Sequence, residues 1–395
     1  MWKSVKLGEI IEKTATTNPS AEFPDEPFEY IDVSAVCKST LKIRGTQTLL
    51  GKNAPSRARR QVKAGDVIFA TVRPTLKRVA IVPSELDGQI CSTGYIVFRA
   101  NAELVISKYL FYCMISKKTM DYAENVQTGA SYPAVTDKQV KELEIILPPL
   151  AEQQRIIDKL DASFVEINKA IEIASESAEN AKALANSALT EIFVAESRDW
   201  NTASLADTCS IERGSSPRPI KSFLTEGSGV NWIKIGDTDV DGKYVRSTKQ
   251  RITHEGAKKS RFVRKGDFIL TNSMSYGRPY IMEIDGYIHD GWFALRLKEN
   301  IDTEYYYYLL ASPYVQNQFH SLAAGAVVKN ISSDLVKRVV LPIPPISRQI
   351  EIRNRILDIE AHSSIATESY KDKCEQLRSL KSSMLARELQ PREAV

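Results

Sequence analysis

The sequence is poor in the groups from which reactive centres are built. Its four histidines (His254, His289, His320 and His362) are scattered, and none lies at metal-ligand spacing. Its five cysteines (Cys37, Cys91, Cys113, Cys209 and Cys374) are odd in number and form no CxxC pair. That argues against a disulfide framework or a zinc ribbon and for a reduced, cytoplasmic setting. There is no Asn-Pro-Pro-aromatic segment for methyl transfer to an amino group, no GxSxG elbow, and no GxxxxGK[ST] phosphate loop. Gly51-Lys52 lacks both the frame and the hydroxyl of such a loop. His289-Asp290 is the one pairing of interest, and it reads as a strand-edge pair rather than a dyad. No run approaches the roughly 18 apolar residues of a membrane span. The start, MWKSVKLGEI, has no apolar stretch of the secretory kind. The expectation is a binding protein without membrane contact, with no catalytic residue, no metal and no cofactor of its own.

What is present is arranged in blocks. The net charge is only +4 over 395 residues, but it is unevenly distributed. Residues 1–147 and 198–343 each carry 20 Lys/Arg against 16 Asp/Glu, and the two remaining segments are net acidic. Between Lys38 and Arg78 there are 11 basic residues and one acid, Asp66; between Lys243 and Arg278 there are 10 and two, Glu255 and Asp267. Local excesses of this size suit a phosphate backbone, because neutralising phosphates releases condensed counterions. A solvated basic surface is the competing explanation for either stretch taken alone.

The sequence also repeats itself. Trp2 opens one half and Trp200 the other, and Tyr30-Ile31-Asp32-Val33 matches Trp232-Ile233-Lys234-Ile235. Val62-Lys63-Ala64-Gly65-Asp66-Val67-Ile68 matches Val263-Arg264-Lys265-Gly266-Asp267-Phe268-Ile269. Gly94-Tyr95 and Thr128-Gly129-Ala130 match Gly291-Trp292 and Ala324-Gly325-Ala326, and Leu147-Pro148-Pro149-Leu150 matches Ile343-Pro344-Pro345-Ile346. The offset drifts only between about 196 and 202, the signature of a duplicated unit. The Gly-Asp pairs lie between short β-branched and aromatic runs and read as turns between strands, so Asp66 and Asp267 are assigned to turn chemistry. The Pro-Pro pairs lack backbone donors and punctuate each strand-rich half.

A long stretch without glycine or proline follows each Pro-Pro pair: Ala151 to Asp199, then Ser347 to Gln390. In the first, Ile157, Leu160, Phe164, Ile167, Ile171, Ala174, Ala178, Ala181, Ala185, Ala188 and Ile192 recur at alternating spacings of three and four, a coiled-coil seam. At about 1.5 Å per residue this helix extends roughly 70 Å. The second seam is rougher: Ile352, Ile356, Ile359, Ala366, Tyr370, Leu377, Leu380 and Met384, with Ser363 and Lys373 intruding. An apolar stripe must be buried, and the simplest partner for each helix is the other, packed antiparallel. The fold expected is α+β: two similar mixed α/β domains separated by two long helices forming an antiparallel coiled coil, with pseudo-two-fold symmetry. The domains are expected at 1–147 and 198–343 and the helical spacers at 148–197 and 344–395.

Pro148-Pro149-Leu150-Ala151-Glu152-Gln153, ending a strand-rich domain and opening a long helix, resembles the PPL-x-EQ-x-x-I signature of Type I restriction-modification specificity subunits, the HsdS family. The second copy, Pro344-Pro345-Ile346-Ser347-Arg348-Gln349, departs from the signature where Arg348 replaces glutamate. The Gly129 and Gly325 segments resemble the family's glycine-containing loop before the last strand. The resemblance covers essentially the whole chain. It implies two target recognition domains, each reading half of a bipartite, asymmetric site on double-stranded DNA, with the helices setting the unspecified gap. It also implies two modification subunits, which supply S-adenosylmethionine and adenine methylation, and a restriction subunit, which supplies ATP- and Mg-dependent translocation and cleavage. Pro148, Pro149, Gln153, Pro344, Pro345 and Gln349 are the expected partner-binding residues.

Phosphate contacts position a protein on DNA and base-edge contacts specify sequence. Candidate DNA-binding residues are Arg57, Arg59, Arg60, Arg73, Lys77 and Arg78 in the first half. In the second they are Arg213, Arg218, Lys221, Lys259, Arg261, Asn272, Ser273, Tyr276 and Arg278. Asn272-Ser273-Met274-Ser275-Tyr276-Gly277-Arg278-Pro279 aligns with Thr71-Val72-Arg73-Pro74-Thr75-Leu76-Lys77-Arg78. Different chemistry at equivalent loops is what readers of different half-sites require. Two alternatives remain at this point: a specificity-like chain serving a different cleavage module, and a coiled-coil scaffold that does not bind DNA.

Overall fold

The run Val67–Ala70 shows why each half folds as it does. All four of its residues are buried, so the strand has no solvent face and must lie between two layers. Alternate side chains go to opposite sides. Val67 and Phe69, with Ile96 and Phe98 of the neighbouring Tyr95–Ala100 strand, pack against the helix Ser107–Ile115 and the first long helix. Ile68, Ala70 and Val97 face a second sheet that contributes Ile31 and Cys91, with Val62 just beyond one of its strands. The second half follows the same plan. Phe268, Leu270, Phe293 and Leu295 face helices, while Ile269, Trp292 and Ala294 face a second sheet through Ile233, Val263 and Ile288.

The computed structural model describes residues 2–194, 200–239, 242–272, 277–324 and 332–391. They form two compact units: residues 1–175 with 371–395, and residues 176–370. In the first, strands Ile11–Glu12, Tyr95–Ala100, Val67–Ala70 and Val79–Ile81 are neighbours in that order, and Gln47–Leu50, Pro27–Ile31, Ile90–Ser92 and Ala58–Gln61 form the second sheet. In the second unit the corresponding sheets have five strands each. A two-stranded ribbon closes each domain, Lys3–Lys6 with Glu144–Leu147 and Thr202–Ser204 with Val340–Pro342. The fold is α+β, a mixed α/β domain built twice, each leading into a long helix.

The Gly-Asp turns are built alike. Gly65 and Gly266 have φ values of +85° and +92°, a region that favours residues without Cβ. Asp66 accepts the Lys63 amide at 2.8 Å and a two-pronged contact from Arg99 at 2.8 and 3.0 Å. Asp267 accepts the Arg264 amide and Arg296 Nε, both at 3.1 Å. Turn chemistry is thus joined by an ion pair between a buried aspartate and a part-buried arginine, which links the turn to an interior strand of the sheet.

The long helices run Leu150–Val194 and Ile346–Glu388. In the first unit Lys159 Nζ donates to Glu388 at 2.8 Å, Lys381 Nζ to Asn168 at 2.9 Å, and Cys374 Sγ to the Ile171 carbonyl at 3.6 Å. Numbers rise on one helix as they fall on the other, so the pairing is antiparallel. In the second unit Ser363 Oγ donates to the Ala181 carbonyl at 3.1 Å. The first seam lies where its spacing predicts. The second holds as far as Tyr370, with Ser363 at the seam position its spacing gives, and then requires a correction: Lys373 and Leu380 are exposed, and Cys374 and Lys381 hold the seam. Lys381 lays its stem inward, with Nζ 4.6 Å from the centre of the Phe164 ring. Among the described residues no helix is long and apolar enough to cross a membrane.

Candidate nucleic-acid interface

The strands Val67–Ala70 and Val79–Ile81 pair antiparallel, and the segment between them is the first candidate loop. It contains a single helical turn, Pro74–Leu76, flanked by Arg73 at φ 50° and Lys77 at φ 54°. Left-handed backbone at residues carrying Cβ costs roughly 1–3 kcal/mol each, and such strain persists only where the surroundings impose it. Here the imposition comes from a second loop. The Arg73 amide donates to the Pro133 carbonyl at 2.7 Å and the Val135 amide to the Thr71 carbonyl at 2.9 Å. Thr128 and Ala134 close that loop with two 2.9 Å backbone hydrogen bonds, and Gly129, at φ +99°, has no room for a Cβ beside the Tyr132 carbonyl. At its tip Tyr132 is 71% exposed, and the Arg73 guanidinium lies over its ring, 5.0 Å from the centroid. Tyr132 was not among the candidates read from the sequence. The signal was a single aromatic between Ser131 and Pro133 in the glycine-containing loop.

The other first-half candidates divide by what they touch. Arg57 and Lys77 are exposed. Arg59 is half-buried and donates to Asn18 at 2.7 Å. Arg60 forms a two-pronged ion pair with Asp137 at 2.6 and 3.1 Å, fastening the strand Ala58–Gln61 to the start of the helix Asp137–Lys141. Arg78 donates to the Val33 carbonyl at 3.1 Å.

In the second half Arg213, Arg218, Lys221, Lys259 and Arg261 are exposed. Arg218 pairs with Asp290 at 3.4 Å and Arg261 with Glu212 at 3.2 Å, while Lys259 Nζ lies 4.7 Å from the centre of the Phe223 ring. Asn272 is only 1% exposed, and its amide donates to the Asp290 carbonyl at 2.7 Å. It therefore braces the Asp290 backbone, a correction to its place among residues facing DNA. Arg218 and Asn272 thus meet at one residue. Arg278 is half-buried, and Ser273 and Tyr276 lie outside the described residues. The His289 ring is wedged between Trp232 and Trp292, 6.3 Å from each, and burial holds its pKa below the ordinary value. Asp290 accepts a 2.6 Å hydrogen bond from Ser216. Both groups are engaged in packing.

The glutamines expected to meet a partner are instead interior clamps. Gln153 is fully buried; it accepts the Ile106 amide and donates to the Leu104 and Pro148 carbonyls, each at 2.9 Å. Gln349 accepts the Asp302 amide at 2.9 Å and donates to the Pro344 and Asn300 carbonyls at 2.8 and 3.4 Å. A carboxamide suits this task because it carries an acceptor and two donors in one plane. Pro148 and Pro344 are buried too, leaving Pro149 and Pro345, with Leu150 and Ile346 beside them, as the exposed members of each junction.

Cys37 immediately precedes the basic stretch and is the only cysteine of the five that is not buried. Hydrogen bonds from Ser39 and Thr40 lower its pKa to about 6, while burial pushes Cys91 and Cys113 up to about 12. Thiolate is the reactive form. Iodoacetamide at pH 7 is therefore expected to label Cys37 first, with a rate that climbs between about pH 5 and 7 and then levels off. A midpoint near the ordinary thiol value of about 8.5 would contradict this.

One sheet-and-helix domain is thus built twice, each copy with exposed basic loops and each leading into a long helix. A family model described as the Type I restriction modification DNA specificity domain matches residues 1–175 and 197–372. The chain therefore belongs to the Type I restriction-modification specificity family. It is 28% identical over 159 residues to the Type I restriction enzyme HindI specificity subunit of Haemophilus influenzae, covering 40% of this chain and 34% of that one. It is 24% identical over 317 residues to the putative type I restriction enzyme MjaX specificity subunit of Methanocaldococcus jannaschii, covering 75% and 72%. The matched stretch thus spans about a third of the first relative and nearly three quarters of the second. Among solved structures, a chain of a type I R-M system studied for its complex assembly and conformational transition superposes with a TM-score of 0.79 at 29% identity, covering 98% of this chain and 97% of that one. The HsdS subunit of Thermoanaerobacter tengcongensis superposes with a TM-score of 0.66 at 30% identity, covering 98% and 96%.

Proposed function

We propose that this chain is the non-catalytic DNA-reading subunit of a Type I restriction-modification complex. Each recognition domain reads one half of a bipartite, asymmetric site on double-stranded DNA, and the paired helices set the unspecified gap. Two modification subunits and a restriction subunit assemble on the chain in the cytoplasm, and these partners use S-adenosylmethionine, ATP and Mg. The observation that carries this reading is the duplication of one fold with different loop chemistry. Arg73 in the first half stands where the second has Met274, inside a polar Asn-Ser-Met-Ser-Tyr segment without a cation. Duplicated scaffolds with unlike reading loops suit an asymmetric site. The exposed Pro149, Leu150, Pro345 and Ile346 offer matching apolar patches, one per half, for two copies of one partner.

The test is selection of duplexes from a random pool by the full chain co-expressed with its modification subunit, followed by a salt titration. A bipartite consensus with a fixed gap is expected. The logarithm of affinity should fall linearly with the logarithm of salt, at about 0.9 per phosphate neutralised. Binding that ignores salt and selects no consensus would overturn the proposal.

A further inference from the structure

Arg73 stands apart from the other cations of the first domain. Arg59, Arg60 and Arg78 are half-buried and each donates within the fold, to Asn18, Asp137 and the Val33 carbonyl. Among the described residues no carboxylate pairs with Arg73. Its guanidinium lies over the Tyr132 ring, and its backbone is fixed by the Pro133 carbonyl in a left-handed conformation. Stacking uses the face of a guanidinium and leaves the N–H groups around its edge free. A 71% exposed tyrosine at a loop tip contributes nothing to a core. Here its ring restricts the rotamers of a long cation, so less freedom remains to be lost when the fork docks on a ligand. A planar fork presented edge-first from two cross-braced loops matches the paired acceptors O6 and N7 of guanine in the major groove.

Resting on the DNA-reading function proposed above, we infer that Arg73 is a specificity-determining residue of the first domain. It reads one G·C pair of one half-site, and Tyr132 is its positioning residue. Arg57 and Lys77, exposed and without a stacking ring, serve the phosphate backbone.

The experiment repeats the random-duplex selection with the complex carrying Arg73→Lys, Tyr132→Ala or Tyr132→Phe. Lysine keeps the charge and loses the fork. Arg73→Lys is expected to leave affinity for non-specific duplex and its salt dependence unchanged, while preference for one G·C pair falls about 10- to 100-fold. The other half-site should be unaffected. Tyr132→Ala should relax the same position, and Tyr132→Phe, which keeps the ring, should restore it. A wild-type consensus that Arg73→Lys leaves intact overturns the inference alone. So does an equal loss of affinity for every duplex, which would make Arg73 a phosphate contact. A wild-type complex that selects no consensus overturns the DNA-reading function and the inference with it.

Discussion

Replacing Asp66 by alanine is expected to lower the stability of the first unit by about 3–5 kcal/mol, the usual cost of removing one partner of a buried ion pair. The carboxylate is 3% exposed on its side chain and accepts three hydrogen bonds, one from the Lys63 amide and two from Arg99. Without it the Arg99 guanidinium, 18% exposed, loses its hydrogen-bonded counter-charge and keeps only the weaker field of Glu12 and Asp87. Asp66→Asn keeps an acceptor for the Lys63 amide but removes the charge, and should fall between alanine and wild type. Asp267→Ala is the informative comparison. Arg296 has a second acid, Glu212 at 2.8 Å, and its side chain is 31% exposed. The loss in the second unit is therefore expected to be smaller, about 1–3 kcal/mol. Urea unfolding of the full chain followed by circular dichroism measures both. Tryptophan emission separates them, since Trp2 lies in the first unit and Trp200, Trp232 and Trp292 in the second. Equal losses at the two positions, or a loss below about 1 kcal/mol for Asp66→Ala, would show that the ion pair does not hold the turn.

The sequence made the layers and the long helices legible because both are written in periods. Val67–Ala70 as a continuous apolar run, and the three-four spacing from Ile157 to Ile192, each dictate which faces are buried whatever lies opposite. The end of the second seam is displaced by one residue from its reading, to Cys374 and Lys381, and hydropathy, which ranks Lys381 below Leu380, hides the shift. Position on the helix, not polarity, decides which side chain meets the partner. Ser363 and Cys374 satisfy themselves on carbonyls across the seam, and Lys381 buries its stem along Phe164. The candidate interface was less legible. Arg57, Arg59 and Arg60 are indistinguishable as letters, yet Arg60 finds its carboxylate 77 residues away, and no local pattern encodes that pairing. Gln153 is read as a partner contact from the family resemblance and Asn272 as a DNA contact from the aligned loops, yet both are buried. Each is buried because backbone groups beside it would otherwise lack partners. Tyr132 was missed because an exposed aromatic is unexpected until the ring is found beneath Arg73.

Lengthening both long helices together should widen the unspecified gap of the DNA site and leave both half-site sequences unchanged. The antiparallel pairing decides how the insertion must be made. Extra residues in one helix alone would displace Ser363 from Ala181 and slide every later seam position past its partner. Matched insertions of seven residues, near Ala178 and near Thr367, keep the apolar stripe in phase, because seven residues are close to two turns. The added helix is about 10 Å at 1.5 Å per residue. Along B-form DNA, at about 3.4 Å per base pair, that corresponds to about three pairs of extra gap. Selection from a random duplex pool by the lengthened complex reads the result directly. A gap that stays the same while binding survives would show that the helices do not set the spacing. Altered half-site sequences at constant gap would show that the insertion disturbed the recognition domains instead. The expected combination, a wider gap with both half-sites intact, follows only if the reading loops and the spacing are carried by separate parts of the chain.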